Sequence, residues 1–355
     1  MRKITQPCTY ADAIEIPWSY GPFLPISEGE AASFNDSFSD ELDSAFASSI
    51  ACCDFCRDEF SARWPDVTFR RDGDEWMSMD TLWAVDESRL SGVWSPAEYS
   101  TLRRLIQCPR CLAFGSANIY LFEHRFSGAE AMESDIDGLI ALGSATPFLL
   151  LEHAFAQRVL AEIREEATRV ISEAFTAPLY RARQAEDISK LGQAVDDLAT
   201  YGPAPAAWVG EGRFNHAGSP MLYLANEARV AASELGIVGE ECLVGQLRIR
   251  TPLKVLNLID PDGEAVDSDL FDALANSALL AAPRTGGGWA QRQYVFSRFV
   301  ADCARSAGFD AIRYGSTKEP KGVNYVILDP PLDLTALVVL EGYENVPCAA
   351  PAPRY

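Results

Sequence analysis

Leu179-Tyr-Arg-Ala-Arg183, Gly212-Arg-Phe-Asn-His-Ala-Gly-Ser-Pro-Met-Leu-Tyr-Leu-Ala225 and Ser233-Glu-Leu-Gly236 decide how this chain is read. They set an arginine pair, an aromatic strand and a helical carboxylate in close succession. Short β-rich runs bounded by turn residues surround them: Leu179–Arg183, Met221–Leu224, Leu243–Ile249, Val255–Ile259, Ala311–Tyr314 and Val323–Leu328. Two helices are expected between them. Glu227–Leu235 carries Ala228, Ala231, Ala232 and Leu235 on one face, and Gln291–Ala307 carries Phe296, Phe299, Val300, Cys303 and Ala307. Asp267–Ala281 reads as a third. Strands and helices mixed in this way predict an α+β fold whose C-terminal half is mixed α/β.

Upstream, the pattern is mostly helical. Residues 1–30 are mixed, a polar and acidic stretch follows through Asp43, and the first helix is expected near Asp40. Pro96–Ile106 and Ser134–Ala141 are helical. The strongest periodicity runs from Phe148 to Phe175, where Leu151, Phe155, Val159 and Ile163 recur every four residues. The change of pattern after Ala177-Pro178 predicts a helical domain over 1–177, a second domain over 178–342 and a flexible tail over 343–355.

A formal charge of −21 over 355 residues argues against a general nucleic-acid binder, which needs basic patches to meet phosphate. Any anionic ligand must therefore find a locally positive pocket. The N-terminus lacks the continuous apolar core of a secretory signal and no apolar run reaches bilayer length, so a soluble, cytoplasmic protein without membrane contact is expected. Nine cysteines in so long a chain do not form a compact disulfide framework.

Strand alternation sends Arg181 and Arg183 to one side and Tyr180 to the other. A guanidinium fork suits phosphate oxygens, but arginine pairs on one strand face are usually just solvated. Tyr223 can offer a platform for a flat ring or fill the core. Glu234 ends a helix whose small alanines permit close packing against a sheet; it either reaches a pocket or faces water. Ser316 ends Gly308-Phe-Asp-Ala-Ile-Arg-Tyr-Gly-Ser316 outside any Gly-x-Ser-x-Gly elbow, which excludes an activated acyl nucleophile. The Arg284-Thr-Gly-Gly-Gly-Trp289 run lacks the context of a phosphate loop and reads as a flexible connection or lid.

Taken together and in order, these motifs resemble the RES family, named for an arginine, a glutamate and a serine, whose members degrade NAD and often act as bacterial toxins. The resemblance implies a domain like the ADP-ribosyltransferase fold. It assigns Arg181, Glu234, Tyr223 and Ser316 to catalysis, and Arg213, Asn215 and Asn324 to binding. NAD would be the substrate, with phosphate as co-substrate or water in its place; transfer of ADP-ribose to a protein and non-catalytic nucleotide sensing are the alternatives. An Xre-type antitoxin or another regulatory protein, and a homodimer, are the implied partners. Ala311 departs from the family, which has glycine there.

Cys53-Asp-Phe-Cys56 and Cys108-Pro-Arg-Cys111 form two Cys-x-x-Cys knuckles compatible with one structural zinc. Cys52 is an alternative ligand, and buried free thiols are the competing reading. His124, His153 and His216 are isolated and read as packing or surface residues, with His216 close to the pocket loop. The N-terminal half also resembles the helical, HEPN-associated domains that precede some RES domains. It lacks the Arg-x-x-x-x-His motif of a HEPN nuclease, so no nuclease activity is carried over.

Overall fold

The computed structural model describes residues 24–46, 50–63, 77–122, 129–236, 241–259, 270–271, 274, 294–316, 318–319 and 322–348. The chain divides into two compact units, Met1–Ser127 and Gly128–Tyr355. It is a mixed α/β protein with a helix-rich N-terminal part.

In the first unit, α1 spans Glu28–Phe46, well before the start expected near Asp40. The reason is a capping box: the Ser27 backbone N–H and hydroxyl donate to Glu30 Oε2 at 2.8 and 2.7 Å, and Glu30 N donates back to Ser27 Oγ at 3.3 Å. The acidic run therefore lies within the helix. Its apolar side, Phe34, Phe38 and Leu42, is fully buried. α2 (Arg57–Arg63), α3 (Thr81–Asp86) and α4 (Pro96–Leu102) follow, the last opened by a capping box of Ser95 and Glu98. A three-stranded antiparallel sheet, β1 (Ile50–Cys53), β3 (Asn118–Phe122) and β2 (Met77–Asp80) in that spatial order, adds strands that a helical reading of this half did not include. Each is only four or five residues long, too short for alternation to stand out.

The second unit opens with α5 (Ala129–Ala145) and α6 (Ala154–Arg169). The helix expected across Phe148–Phe175 is broken at His153, whose Nδ1 accepts from Phe155 N at 3.2 Å and caps α6. Beyond α6, Glu173 pairs with Leu253 through two backbone hydrogen bonds of 2.9 Å. Segments upstream of Pro178 thus pack inside this unit, and the expected boundary at 177/178 does not coincide with a break in packing.

Seven strands follow: β4 (Leu179–Gln184), β5 (Leu222–Ala225), β6 (Glu241–Ile249), β7 (Val255–Asn257), β8 (Ala311–Gly315), β9 (Val323–Ile327) and β10 (Val338–Pro347). Their spatial order is β10-β6-β4-β5-β9-β8-β7, antiparallel except for β7 against β8. One face packs Leu179, Tyr201, Leu222, Leu247 and Ile327. The other packs Ala182, Ala225 and Val244 under α8 (Ala228–Glu234), through Val230, Ala231 and Ala232. Burying each large apolar side chain contributes about 1.5–3 kcal/mol. α7 (Ala185–Lys190) follows β4 directly, and α9 (Tyr294–Ser306) ends at Gly308, whose φ of 85° is left-handed.

β10 corrects the expected tail. Residues 343–347 pair with β6, and Cys348 beyond them is buried. β10 is a largely exposed edge strand, so its polar residues hide the usual signal. Residues 349–355, Asp267–Ala281 for the most part, the 284–289 loop and His124 lie outside the described residues. Among the described residues no helix is long and apolar enough to cross a membrane.

Candidate functional site

The sheet has a seam. β4 pairs with β6 along six residues but meets β5 at the single pair Tyr180↔Ala225. Beyond that pair the two strands no longer share a ladder, and Arg181 fills the gap: its Nη1 donates to Tyr223 O at 2.7 Å. The Arg181 Nε is buried and has no acceptor among the described residues. Burial and the neighbouring Arg183 push its pKa well below the usual arginine value. A guanidinium does not give up its proton, so the seam holds a cation without an anionic partner among the described residues. Arg183 is occupied differently. Its Nε donates to Thr200 O at 3.0 Å and its Nη2 to Gly202 O, which ties β4 to the following loop.

Arg213 comes from the Gly212-Arg-Phe-Asn215 turn. Its guanidinium carbon lies 4.6 Å from the Tyr314 ring centroid and 5.4 Å from that of Phe214. The turn is closed by Gly212 N donating to Asn215 O at 3.0 Å, and a Cβ on Gly212 would stand 2.2 Å from Asn215 Oδ1. Asn215 Nδ2 donates to Gly210 O at 2.8 Å and to His216 O at 3.1 Å. The Tyr223 hydroxyl donates to Asn215 Oδ1 at 2.9 Å and accepts from Phe214 N at 3.2 Å. Tyr223 therefore fastens the arginine loop with its hydroxyl. Burial pushes its pKa up to about 12, so the phenol stays protonated at neutral pH. From α9, Ser297 Oγ donates to Arg213 O, and the buried Arg298 pairs with Glu211 at 3.4 Å. His216 pairs with Asp302 of the same helix at 2.8 Å.

Glu234 is the last residue of α8. Its Oε1 accepts from Ser316 Oγ at 2.6 Å and from Asn324 Nδ2 at 2.7 Å. Its Oε2 accepts no hydrogen bond among the described residues. Ser316 Oγ also accepts from Lys318 N and Glu319 N, both at 3.1 Å, so the hydroxyl is engaged on both sides. Lys318 Nζ donates to Glu234 O at 2.8 Å and satisfies a carbonyl at the end of α8. A Cβ on Gly322 would meet Ser316 Cβ and Val230 Cγ1 at 2.9 Å, so glycine is required where this loop closes on the helix.

Tyr314 joins the two halves. It is buried on β8, which raises its pKa well above the ordinary phenol value, and Arg213, Glu234, Tyr223 and Tyr294 all lie within electrostatic reach of it. Residues 178–344 match the protein family described as RES domain. This stretch of the chain is a RES domain. Among solved structures, the chain matches one in the crystal structure of the M. tuberculosis MbcT-MbcA toxin-antitoxin complex, with 13% identity and a TM-score of 0.33. That match covers 53% of this chain and 92% of the other. Comparison with curated proteins gave no match.

Within the RES domain, the seven residues expected at the site fall into two groups around Tyr314. Arg181, Arg213, Asn215 and Tyr223 form one, linked through the Tyr223 backbone and hydroxyl. Glu234, Ser316 and Asn324 form the other. Tyr314, Tyr294, Arg298 and Lys318 were not anticipated. Tyr314 alternates with Ser316 in a short strand end and was legible as a same-face residue; Arg298 lies within an apolar helix and gave no signal.

In the first unit, Cys53, Cys56, Cys108 and Cys111 bring their sulfurs within 4.8 Å of one another. Cys52 is fully buried and is not one of these four, although its side chain neighbours Cys56.

Proposed function

We propose that the RES domain degrades NAD by breaking the bond between nicotinamide and ribose, with phosphate or water accepting the ADP-ribosyl group. The observation that carries this reading is the Glu234 carboxylate, held through Oε1 by two donors while Oε2 stays available, with Arg181 and Arg213 on the other side of Tyr314, which lies within electrostatic reach of all three. The two guanidiniums would meet the diphosphate, Arg181 through a nitrogen that has no acceptor among the described residues. Oε2 of Glu234 would hold the ribose hydroxyls and stabilise positive charge at the anomeric carbon. The C–N bond electrons leave with nicotinamide, which departs neutral and needs no proton. The acceptor oxygen then bonds to that carbon and, where water is the acceptor, releases its proton. Ser316 and Asn324 act as positioning residues for the carboxylate. The near-split of the sheet at β4/β5 supports a cleft of the kind found in the ADP-ribosyltransferase fold.

The resemblance further supports a cytoplasmic toxin-type effector held in check by an Xre-type antitoxin. Purified full-length chain incubated with NAD, with and without phosphate, should release nicotinamide, and phosphate should divert the product to ADP-ribose-1″-phosphate. No nicotinamide under either condition sinks the reading. NAD labelled in its adenylate half separates the acceptors: label on protein identifies ADP-ribosyl transfer. Tight binding without turnover, indifferent to Glu234→Gln, identifies a nucleotide sensor.

A further inference from the structure

We propose that Cys53, Cys56, Cys108 and Cys111 bind one divalent transition-metal ion, zinc by its thiolate chemistry, in a closed structural site of the first unit. The inference is independent of the chemistry assigned to the RES domain. Sulfur separations carry it: Cys53 to Cys111 is 3.5 Å, Cys56 to Cys108 is 3.8 Å and Cys53 to Cys56 is 3.9 Å. A tetrahedron with metal–sulfur bonds of about 2.3 Å has sulfur–sulfur edges of about 3.8 Å. Disulfides would need about 2.05 Å. All four sulfurs lie within 4.8 Å of one another, close enough for one ion to draw them into a tetrahedron.

The backbone around them is shaped for the charge that deprotonation would create. Phe55 N donates to Cys53 Sγ at 3.4 Å and Cys53 N donates to Cys56 Sγ at 3.3 Å. Such donors favour thiolate over thiol. Four thiolates around a divalent cation leave a net charge of about −2. Arg57 and Arg110, each adjacent in sequence to a ligand or lying between two, are held over the rings of Tyr120 and Phe60 at 4.7 and 4.5 Å. Arg57 also pairs with Asp58 at 3.5 Å.

Both knuckles are held in place from outside. Asp54, inside the first, accepts hydrogen bonds from the backbone of Ala117 and Asn118 and from the side chains of Ser116, Asn118 and Tyr120, at 2.9–3.1 Å. The second knuckle closes with Leu112 N donating to Cys108 O and Cys108 N to Ala113 O, both at 2.9 Å. Leu112 takes a left-handed φ of 57°, a conformation that costs a branched residue about 1 kcal/mol or more and persists where the surroundings enforce it. Three of the four ligands are buried and only Cys111 is exposed, so no coordination position is left open for substrate. The ion would link β1 to the 108–113 loop, closing a long loop in a unit with a modest core.

Full-length chain, purified without chelator and analysed by inductively coupled plasma mass spectrometry, should carry about one zinc per chain. Titration with an organomercurial should release that zinc as the four thiols react. Cobalt substitution should give the intense visible bands of tetrahedral thiolate coordination. Cys111→Ala, at the exposed ligand and least disruptive to folding, should weaken metal binding more than about a hundredfold, beyond the 10–100-fold worth of outer-shell partners. Cys52→Ala should leave the metal in place. Absence of metal in protein made with added zinc, iron in place of zinc, or metal retained undiminished in Cys111→Ala would each overturn the proposal.

Discussion

Glu234 is exposed at the end of α8, yet one carboxylate oxygen is engaged by Ser316 and Asn324 while the other is available, the arrangement its proposed role requires. Replacing it with glutamine preserves shape and removes the charge. Glu234→Gln should therefore lower NAD turnover by roughly 10²–10³-fold, the scale of losing one electrostatic stabiliser, with little change in thermal stability. Steady-state kinetics beside a melting curve separate the two effects. Ser316 touches the carboxylate, so Ser316→Ala should lower kcat by less than Glu234→Gln and leave KM nearly unchanged. Tyr223 acts elsewhere: its hydroxyl holds the loop that carries Arg213. Tyr223→Phe should raise KM by several-fold to about tenfold, the effect of losing about 1 kcal/mol of hydrogen bonding, and spare kcat. A kcat loss with KM unchanged would make the phenol a participant in chemistry and refute the fastening role.

At the scale of elements, β6 is constrained where it passes the fully buried Tyr201. A Cβ on Gly245 would lie 2.6–2.8 Å from three carbons of that ring, whereas a Cβ on Gly342 of the neighbouring β10 would meet nothing within 4 Å. Gly245→Ala should destabilise the protein by about 1–3 kcal/mol in denaturant unfolding, the cost of overpacking a filled core. Gly342→Ala is the control and should change little. In the first unit, Arg89 of the turn after α3 donates to the buried Glu41 of α1 through Nε at 2.7 Å and its backbone at 3.0 Å, and holds that carboxyl below its usual pKa. The folded pKa is depressed, so the stabilisation is present above the unfolded value near 4.5 and is lost as pH falls through the lower folded value. Glu41→Gln should flatten the acid limb of a stability–pH curve below about pH 4.5 and leave its alkaline limb alone.

At the scale of the molecule, legibility follows range. The strands around Arg181, Tyr223 and Ser316 showed themselves through local pattern, as did the small-residue face of α8. The seam between β4 and β5 did not, because pairing between strands some forty residues apart leaves no local trace. The capping box at Ser27 and Glu30 was present in the sequence but masked by an acidic run that reads as solvated. β10 escaped for the opposite reason, being an edge whose polar residues mimic a tail. Charge also acts at this scale. The chain carries −21, and NAD is itself an anion, so the far field repels the substrate that the arginines attract at close range. Salt screens the far field first, since the Debye length is about 10 Å at 0.1 M, while Arg181 at the seam is half-buried with its Nε out of solvent, and is screened less. Raising ionic strength from about 0.01 to 0.15 M should therefore lower KM for NAD at constant kcat. A KM that rises over that range would mean that fully exposed cations, rather than Arg181 and Arg213, dominate capture, and would count against Arg181 as the diphosphate contact.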